Sequence, residues 1–321
     1  MKKKRIGVLT SGGDAPGMNA AVRAVARTAL YKGFEVVGIL NGYNGLLNRK
    51  FIDLDVRAVS DIIQRGGTMI YTARCPEFKE WENIEKAARI CEEKGMSGIV
   101  VIGGDGSFRG AADLSKAGVP CVGIPGTIDN DIQCTEYTIG YDTALNTVVE
   151  LVDKLRDTSH SHERCSVVEV MGRRAGHIAL NAGVACGATA VLVPEMEYDL
   201  GSVIQRIKEV RADGKKHIII IVAEGIGGTE DIAKTIQEQT GIDARATILG
   251  HVQRGGTPTV RDRVLASEMG YYAVELLEQG IGNRVVGRKD GKIYDVDIQE
   301  ALAMQKPFDE RLYKILNEIN F

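Results

Sequence analysis

The chain has no C-x-x-C pair, no closely spaced histidine ligands, no long apolar run and few aromatic rings, at 5%. Each absence removes a class of function. The six cysteines, at 75, 91, 121, 134, 165 and 186, are scattered. That excludes a disulfide scaffold and fits reduced thiols in a cytoplasmic protein. The five histidines, at 160, 162, 177, 217 and 251, lack zinc-ligand spacing. The longest apolar run, 218–223, has the length of a strand rather than a membrane span. The opening Met1-Lys2-Lys3-Lys4-Arg5 is basic, but the apolar residues 6–9 are too few for a signal peptide, so no targeting segment is expected. Net charge is −3, with Lys+Arg 40 against Asp+Glu 43. Without a broad basic surface, neither nucleic acid nor a membrane is expected as partner. A local arginine cluster can still hold an anion in a cleft.

Glycine is plentiful, with 38 in 321 residues, and many follow apolar runs. The clearest case is Val100-Val101-Ile102-Gly103-Gly104-Asp105-Gly106-Ser107-Phe108-Arg109-Gly110. It reads as a buried strand emptying into a glycine-rich turn that opens a helix. Backbone N–H groups at such a turn cradle phosphate. Asp105 would repel a bare anion, so it points to a Mg²⁺-bound nucleotide.

The same pattern recurs along the chain. Residues 5–10 form a strand that breaks at Thr10-Ser11-Gly12-Gly13-Asp14-Ala15-Pro16-Gly17. A helix follows, with Val22, Val25, Ala26, Ala29 and Leu30 on one stripe, then a strand at 35–40. Arg23 and Arg27 share a face off that stripe. Residues 41–48 read as a loop holding Tyr43, and 61–64 as helical. Arg74 lies on a turn beside Cys75. Strands are expected at 98–102, 119–124, 167–170, 190–193, 218–222 and 246–249, and a helix at 141–156. The stretch 158–164 reads as polar and mobile. A long helix at 258–279 and a final helix close the chain. Regular alternation of strand and helix implies a mainly parallel sheet covered on both faces, with ligands at the carboxyl ends of the strands. Every unusual polar cluster falls at such an end.

Pro125-Gly126-Thr127-Ile128-Asp129-Asn130-Asp131 could shape a turn, hold a metal or supply a base. Beside a Mg-nucleotide cradle, a carboxylate suits the proton of a substrate hydroxyl, and Thr127 suits the moving phosphoryl oxygens. Arg164, Arg173, Arg245 and Arg254 sit at strand ends or loops with His251, which suggests a second anionic ligand. Glu224 adds an acceptor for sugar hydroxyls. The residues lead to a kinase for a phosphorylated, hydroxylated small molecule.

T-S-G-G-D-A-P-G-M-N-A (10–20), I-G-G-D-G-S (102–107), P-G-T-I-D-N-D (125–131), V-M-G-R-R-A-G (170–176) and G-H-V-Q-R-G-G (250–256) resemble the bacterial ATP-dependent 6-phosphofructokinase family over nearly the whole chain. The resemblance implies two doubly wound, Rossmann-like α/β lobes with mainly parallel sheets and an active site in the cleft between them. It puts the ATP-binding lobe at 1–138 plus 251–304 and the sugar-phosphate lobe at 139–250 plus 305–321. Gly13, Tyr43, Arg74, Cys75, Gly104, Gly106 and Ser107 would line the ATP site, with Asp105 on Mg²⁺. Asp129 would be the base for the sugar 1-hydroxyl, with Thr127 and Asp131 beside it, and Arg74 and Arg173 would stabilise the transferring group. Met171, Gly172, Arg173, Glu224, His251 and Arg254 would hold fructose 6-phosphate. Arg164 and Arg245 would come from a neighbouring subunit of a homotetramer.

Pyrophosphate-using relatives carry an acid where Gly106 stands and a lysine where Gly126 stands, so glycine at both leaves room for ATP. A pyrophosphate-dependent sugar-phosphate kinase is the alternative, and a non-catalytic sensor is disfavoured by the intact Asp105, Asp129 and Arg173. The family's effector site, for ADP or phosphoenolpyruvate, would use Arg23, Arg27, Asp61, Arg156 and Lys215. Val56, Thr189 and Asp213 depart from its pattern, which implies weakened or altered effector control.

Overall fold

Runs of β-branched residues set the strands of this protein, whose computed structural model describes residues 4–320. The chain opens with β1 (Arg5–Thr10), α1 (Met18–Tyr31), β2 (Glu35–Ile39), α2 (Gly42–Leu47), β3 (Phe51–Asp53), α3 (Trp81–Glu93), β4 (Met96–Gly103), α4 (Asp105–Lys116) and β5 (Cys121–Pro125). It continues with α5 (Tyr141–His162), β6 (Cys165–Val170), α6 (His177–Ala185), β7 (Ala190–Leu192), α7 (Leu200–Ala212), β8 (Ile218–Ala223), α8 (Thr229–Thr240) and β9 (Ala244–Ile248). It closes with α9 (Val260–Glu278), β10 (Arg284–Lys289), β11 (Lys292–Asp297), α10 (Ile298–Ala303) and α11 (Glu310–Ile319).

Contacts gather these elements into two units. The first takes the chain up to Ile128, then Ile132–Thr143 and Arg254–Lys306. The second takes Asp129–Asp131, Ala144–Gln253 and the chain from Pro307.

The first unit is built on a sheet of order β11-β10-β5-β4-β1-β2-β3. The four inner pairings are parallel, while β2–β3 and β10–β11 are antiparallel. The order reverses between β1 and β4, because β1 leads outward to β2 and the chain returns to place β4 on its other side. That reversal is where open α/β sheets take ligands. Leu9, Ile39, Ile99, Val101 and Phe108 join one core. Helix α1 lies against α9 through small residues; a Cβ on Gly270 would stand 2.7 Å from the Cβ of Ala24.

The second unit has a wholly parallel sheet of order β7-β8-β6-β9. All six residues of β8 are buried, as a central strand covered on both faces demands. Ile204 and Ile207 of α7 and Ile236 of α8 close over it with Val167 and Val222. β9 is an edge strand and is only partly covered. Antiparallel edge strands thus flank only the first sheet, and one mainly parallel and one wholly parallel sheet are in line with the α/β expectation.

Several local expectations are corrected. Residues 41–48 hold α2 rather than an open loop, because Tyr43 and Leu46 are both buried and pull one helical turn onto the core. Residues 61–64 form turns, not a helix, and Asp61 takes φ 54°. The polar stretch after 158 continues α5 to His162. The β10–β11 hairpin was not anticipated, since its strands are rich in charged residues and only partly buried.

Phe108 packs under β5 so tightly that a Cβ on Gly123 would meet its ring at 2.7 Å. Phe108→Ala is expected to cost about 3–5 kcal/mol, read as a lower midpoint in denaturant unfolding.

Candidate functional site

In the first unit, three loops meet at the carboxyl ends of neighbouring parallel strands. The Ser11 N–H donates to the Ile102 carbonyl at 3.0 Å, and the Gly126 N–H donates to the Gly103 carbonyl at 3.0 Å. The loops after β1, β4 and β5 therefore start level with one another. Gly104 is the N-cap of α4 and contributes no side chain. The first N–H groups of α4 point out of the helix with its positive dipole end. Gly106 is exposed, and a Cβ built on it would meet nothing within 4 Å. Asp105 sits half-buried in that first turn.

The rest of the cradle is braced from within. Ser107 is buried, and its Oγ donates to the Ser11 carbonyl at 3.1 Å. Tyr43 is 4% exposed and stacks on Phe78 with ring centroids 4.1 Å apart. Its hydroxyl donates to the Ser107 carbonyl at 2.6 Å. Burial pushes the phenol well above its ordinary pKa. Tyr43 thus supports α4 from beneath. Thr72 Oγ1 donates to the Gly12 carbonyl at 2.8 Å, and Thr10 Oγ1 donates to the Tyr71 carbonyl at 2.8 Å. These bonds moor the segment that carries exposed Arg74 and half-buried Cys75. Burial raises the Cys75 thiol pKa, so it stays protonated at neutral pH.

Arg254 belongs to this unit. Its Nη1 donates to the Asp14 carbonyl at 3.1 Å, and a Cβ on Gly13 would stand 2.5 Å from that atom. The β1 loop needs glycine at 13 for the guanidinium to lie there. Thr127 is buried, and its carbonyl accepts from Thr138 Oγ1 at 2.6 Å. Among the described residues no three His, Cys, Asp or Glu side chains gather as a metal site. One carboxylate beside a phosphate cradle does fit Mg²⁺, which takes one or two carboxylates and fills its shell with phosphate oxygens and water.

In the second unit, the ends of β8, β6 and β9 bring Glu224, Met171–Arg173 and Gly250–Gln253 side by side. Glu224 Oε1 accepts the N–H of Gly172 at 3.1 Å and that of Arg173 at 2.5 Å. The Met171 N–H donates to Gln253 Oε1 at 3.1 Å, and Gln253 Nε2 donates to the Gly250 carbonyl at 3.0 Å. Gly172 takes φ 141° and Arg173 φ 57°, so this turn needs the clamp. Gln253 is fully buried and was missed as a functional residue; only its place inside the G-H-V-Q-R-G-G stretch hinted at it. Asp129 is 2% exposed, Asn130 takes φ 51°, and Asp131 Oδ2 lies 4.0 Å from Arg173 Nη1. His251 is exposed on its loop.

Arg164 and Arg245 stand elsewhere. Both hold Asp243, at 2.5 Å and 3.3 Å from their Nε atoms. Arg164 precedes β6, whereas Met171 follows it, and the six residues between span about 20 Å. Arg245 pairs with Ser166, near the amino end of the same sheet. These arginines cannot join Arg173 within one chain.

The expected effector residues also separate by unit. Arg23, half-buried, and Arg27, exposed, lie on α1, with exposed Asp61 in the same unit. Arg156 and Lys215 fall in the second unit within a basic cluster. Arg156 Nη1 lies 3.1 Å from His217 Nε2, and Arg156 also donates to the Cys186 carbonyl. An arginine can only donate, so His217 Nε2 must accept, and His217 is neutral with its proton on Nδ1. That Nδ1 then faces His160 Nδ1 at 3.4 Å. Burial, then Arg156, His160 and Lys215, lower the His217 pKa from 6.5. Burial, then Arg156 and Arg206, lower that of Lys215. Thr189 is buried just before β7, and its Oγ1 has no hydrogen-bond partner among the described residues.

A family model described as Phosphofructokinase matches residues 5–277. The chain is 59% identical over 317 residues to an "ATP-dependent 6-phosphofructokinase 1" of Clostridium perfringens, covering 99% of each. A phosphofructokinase structure from Saccharomyces cerevisiae superposes with TM-score 0.91 at 33% identity over 98% of this chain; the chain spans about half (50%) of the yeast chain's length. A pyrophosphate-dependent phosphofructokinase from Marinobacter aquaeolei shares the fold with TM-score 0.86 at 20% identity, over 98% of this chain and 91% of that one.

The lowered His217 pKa has a definite sign. As pH falls through 6.5 the unfolded chain takes the proton first, so stability present above that value is lost on acidification. Melting temperature should fall from pH 8 to pH 5.5, and His217→Gln should flatten that slope.

Proposed function

The chain belongs to the phosphofructokinase family, and on that premise we propose that it transfers the γ-phosphoryl group of MgATP to the 1-hydroxyl of fructose 6-phosphate. The observation that carries the choice of donor is Gly106, where the start of α4 is open. Relatives named for ATP, at 58–59% identity over almost their full length, support it. A charged side chain at 106 would fill the space of the nucleotide's α-phosphate and repel it. Gly126 supports the same donor, since its Cβ would already stand 3.0 Å from Ile102 and leaves no easy place for a lysine.

The first unit, on this reading, is the ATP lobe. Backbone N–H groups at Gly104–Gly106, with Gly13 across the reversal point, cradle the phosphates, Ser107 lines the site with its N–H held by the Gly104 carbonyl at 2.9 Å, and Arg74 and Cys75 flank the nucleotide. Tyr43 serves by holding Ser107. Asp105 would hold Mg²⁺, which offsets the negative charge of the β- and γ-phosphates. Thr127 donates to the moving phosphoryl oxygens, and Arg254 reaches the substrate from beside Gly13. The second unit is the sugar-phosphate lobe. Asp129 takes the proton of the 1-hydroxyl, and Asp131, held near Arg173, orients it. Arg173 and Arg74 stabilise charge spreading on the transferring group. Met171, Gly172, Glu224 and His251 bind the sugar.

Arg164 and Arg245 supply the 6-phosphate contacts of a neighbouring copy's site. Their place at the far edge of the sheet from Arg173 supports that role. The enzyme is accordingly a homotetramer with shared sites, and the free cysteines agree with a cytoplasmic setting. ADP and phosphoenolpyruvate would act through Arg23, Arg27, Asp61, Arg156 and Lys215. Thr189 in place of a glutamate and Asp213 in place of a lysine shift that control, as does Val56 in place of an arginine.

Two variants test the reading. Asp129→Ser should lower kcat by about 10²–10⁴-fold with little change in KM for the sugar; unchanged kcat would remove Asp129 as the base. Gly106→Asp should keep the parent melting temperature, because the Cβ meets open space, yet lower kcat/KM for ATP by at least about tenfold through like-charge repulsion. Turnover of fructose 6-phosphate with pyrophosphate and not with ATP would overturn the donor assignment.

A further inference from the structure

We propose that Asp262 is a positioning residue for phosphoryl transfer, whose carboxylate locks together the loops that present Thr127 and Gly13. The inference rests on the roles proposed above for those two residues. Asp262 lies in the first turn of α9 and is 1% exposed. Its Oδ1 accepts the Gly140 N–H at 2.9 Å. Its Oδ2 accepts the Thr143 N–H at 2.9 Å and the Thr143 Oγ1–H at 2.5 Å. These donors stand at the amino end of α5, where helix N–H groups lack partners of their own. The ring closes through Thr259. Its N–H donates to Thr143 Oγ1 at 3.0 Å, and its own Oγ1 donates to Asp142 Oδ2 at 2.6 Å.

Two routes lead from this joint to the site. The first runs back along the chain. Ile139 pairs with Gly126 in an isolated bridge and donates its N–H to the Pro125 carbonyl at 2.9 Å. Thr138 Oγ1 then holds the Thr127 carbonyl at 2.6 Å. The second route is steric. A Cβ on Gly140 would stand 2.7 Å from the Cβ of Ala15, and one on Gly17 would stand 2.7 Å from Ile139 Cγ2 and 3.5 Å from Asp262 Cβ. Both glycines have positive φ, 103° and 102°. The β1–α1 loop therefore rests directly on the joint, and moving the joint moves the loop that carries Gly13 and Asp14.

A carboxylate is a costly way to fill a core position. Burial raises the Asp262 pKa against the pull of the Thr143 and Gly140 donors, so ionisation opposes folding as pH rises from 3.8. What the charge supplies is direction. Both oxygens accept, and the three donors can point only one way.

Asp262→Asn keeps the shape but turns one acceptor into a donor that faces an N–H. Its kcat should fall about tenfold to a hundredfold, as expected when reacting groups shift by a fraction of an ångström to about 1 Å. KM for ATP and for fructose 6-phosphate should stay within about twofold, the signature of an interaction felt in the transition state. Thr138→Val cuts the first route further along. The double variant should lose little more than the worse single variant, because both act through Thr127. If Asp262→Asn does not fold, Thr143→Val, which removes one donor to the carboxylate and the acceptor of the Thr259 N–H but keeps the charge, carries the same measurements. Parental kcat well below the melting temperature, or effects that multiply in the double variant, would overturn the inference. A parent inactive with ATP and fructose 6-phosphate would instead defeat the proposed function.

Discussion

Parallel pairing of β4 with both β1 and β5 governs where the loops of the first unit lie. Parallel strands end on one edge, and their last carbonyls accept the first N–H groups of the neighbouring loops. Those two bonds, Ser11 to Ile102 and Gly126 to Gly103, set three loops level without any side chain. The side chains then refine a placement that the backbone has already made. Tyr43 and Ser107 serve from below, and the upper surface is left to N–H groups, one carboxylate and glycine. The proposed phosphate site would gain from that economy. Its backbone donors are preorganised, and only side chains such as the exposed Arg74 would have to be ordered on binding.

The second unit solves a different problem with the same architecture. Its turn after β6 places two successive residues at positive φ, which a chain of ordinary residues resists. Glu224 and Gln253 hold that turn by accepting from three consecutive N–H groups. Glu224 would then have two duties, since the carboxylate that fixes Arg173's backbone is also the proposed sugar contact. On that reading, clamp and contact cannot be varied separately.

Much of this was legible in the sequence, for a physical reason. Buried parallel strands must be nearly all apolar, so β1, β4 and β8 stand out, and a polar residue just past such a run has few duties other than ligand contact. Asp105, Asp129, Arg173 and Glu224 are singled out that way as candidates. The work of accepting backbone N–H groups from distant segments was not legible, neither as Glu224's second task nor in residues that do little else. Gln253 and Asp262 look like ordinary polar residues near helix starts, and their partners lie 82 and 119–122 positions away. The β10–β11 hairpin escaped notice because its alternation is blurred by arginine and lysine on its open face. Tyr43 was seen as a loop residue facing ligand, yet the stack on Phe78 makes it part of the core.

The arginines on Asp243 have a consequence for how the protein behaves as a population. Asp243 holds Arg164 and Arg245 at the amino-terminal edge of the second sheet, beyond reach of the turn after β6 in the same chain. If they complete a neighbour's site, a lesion in one chain's acid and a lesion in another chain's arginine fall in different sites. Two dead proteins mixed and reassembled would then regain part of the activity, because some sites would draw each half from the chain that kept it. Inheritance of function would follow the interface rather than the polypeptide.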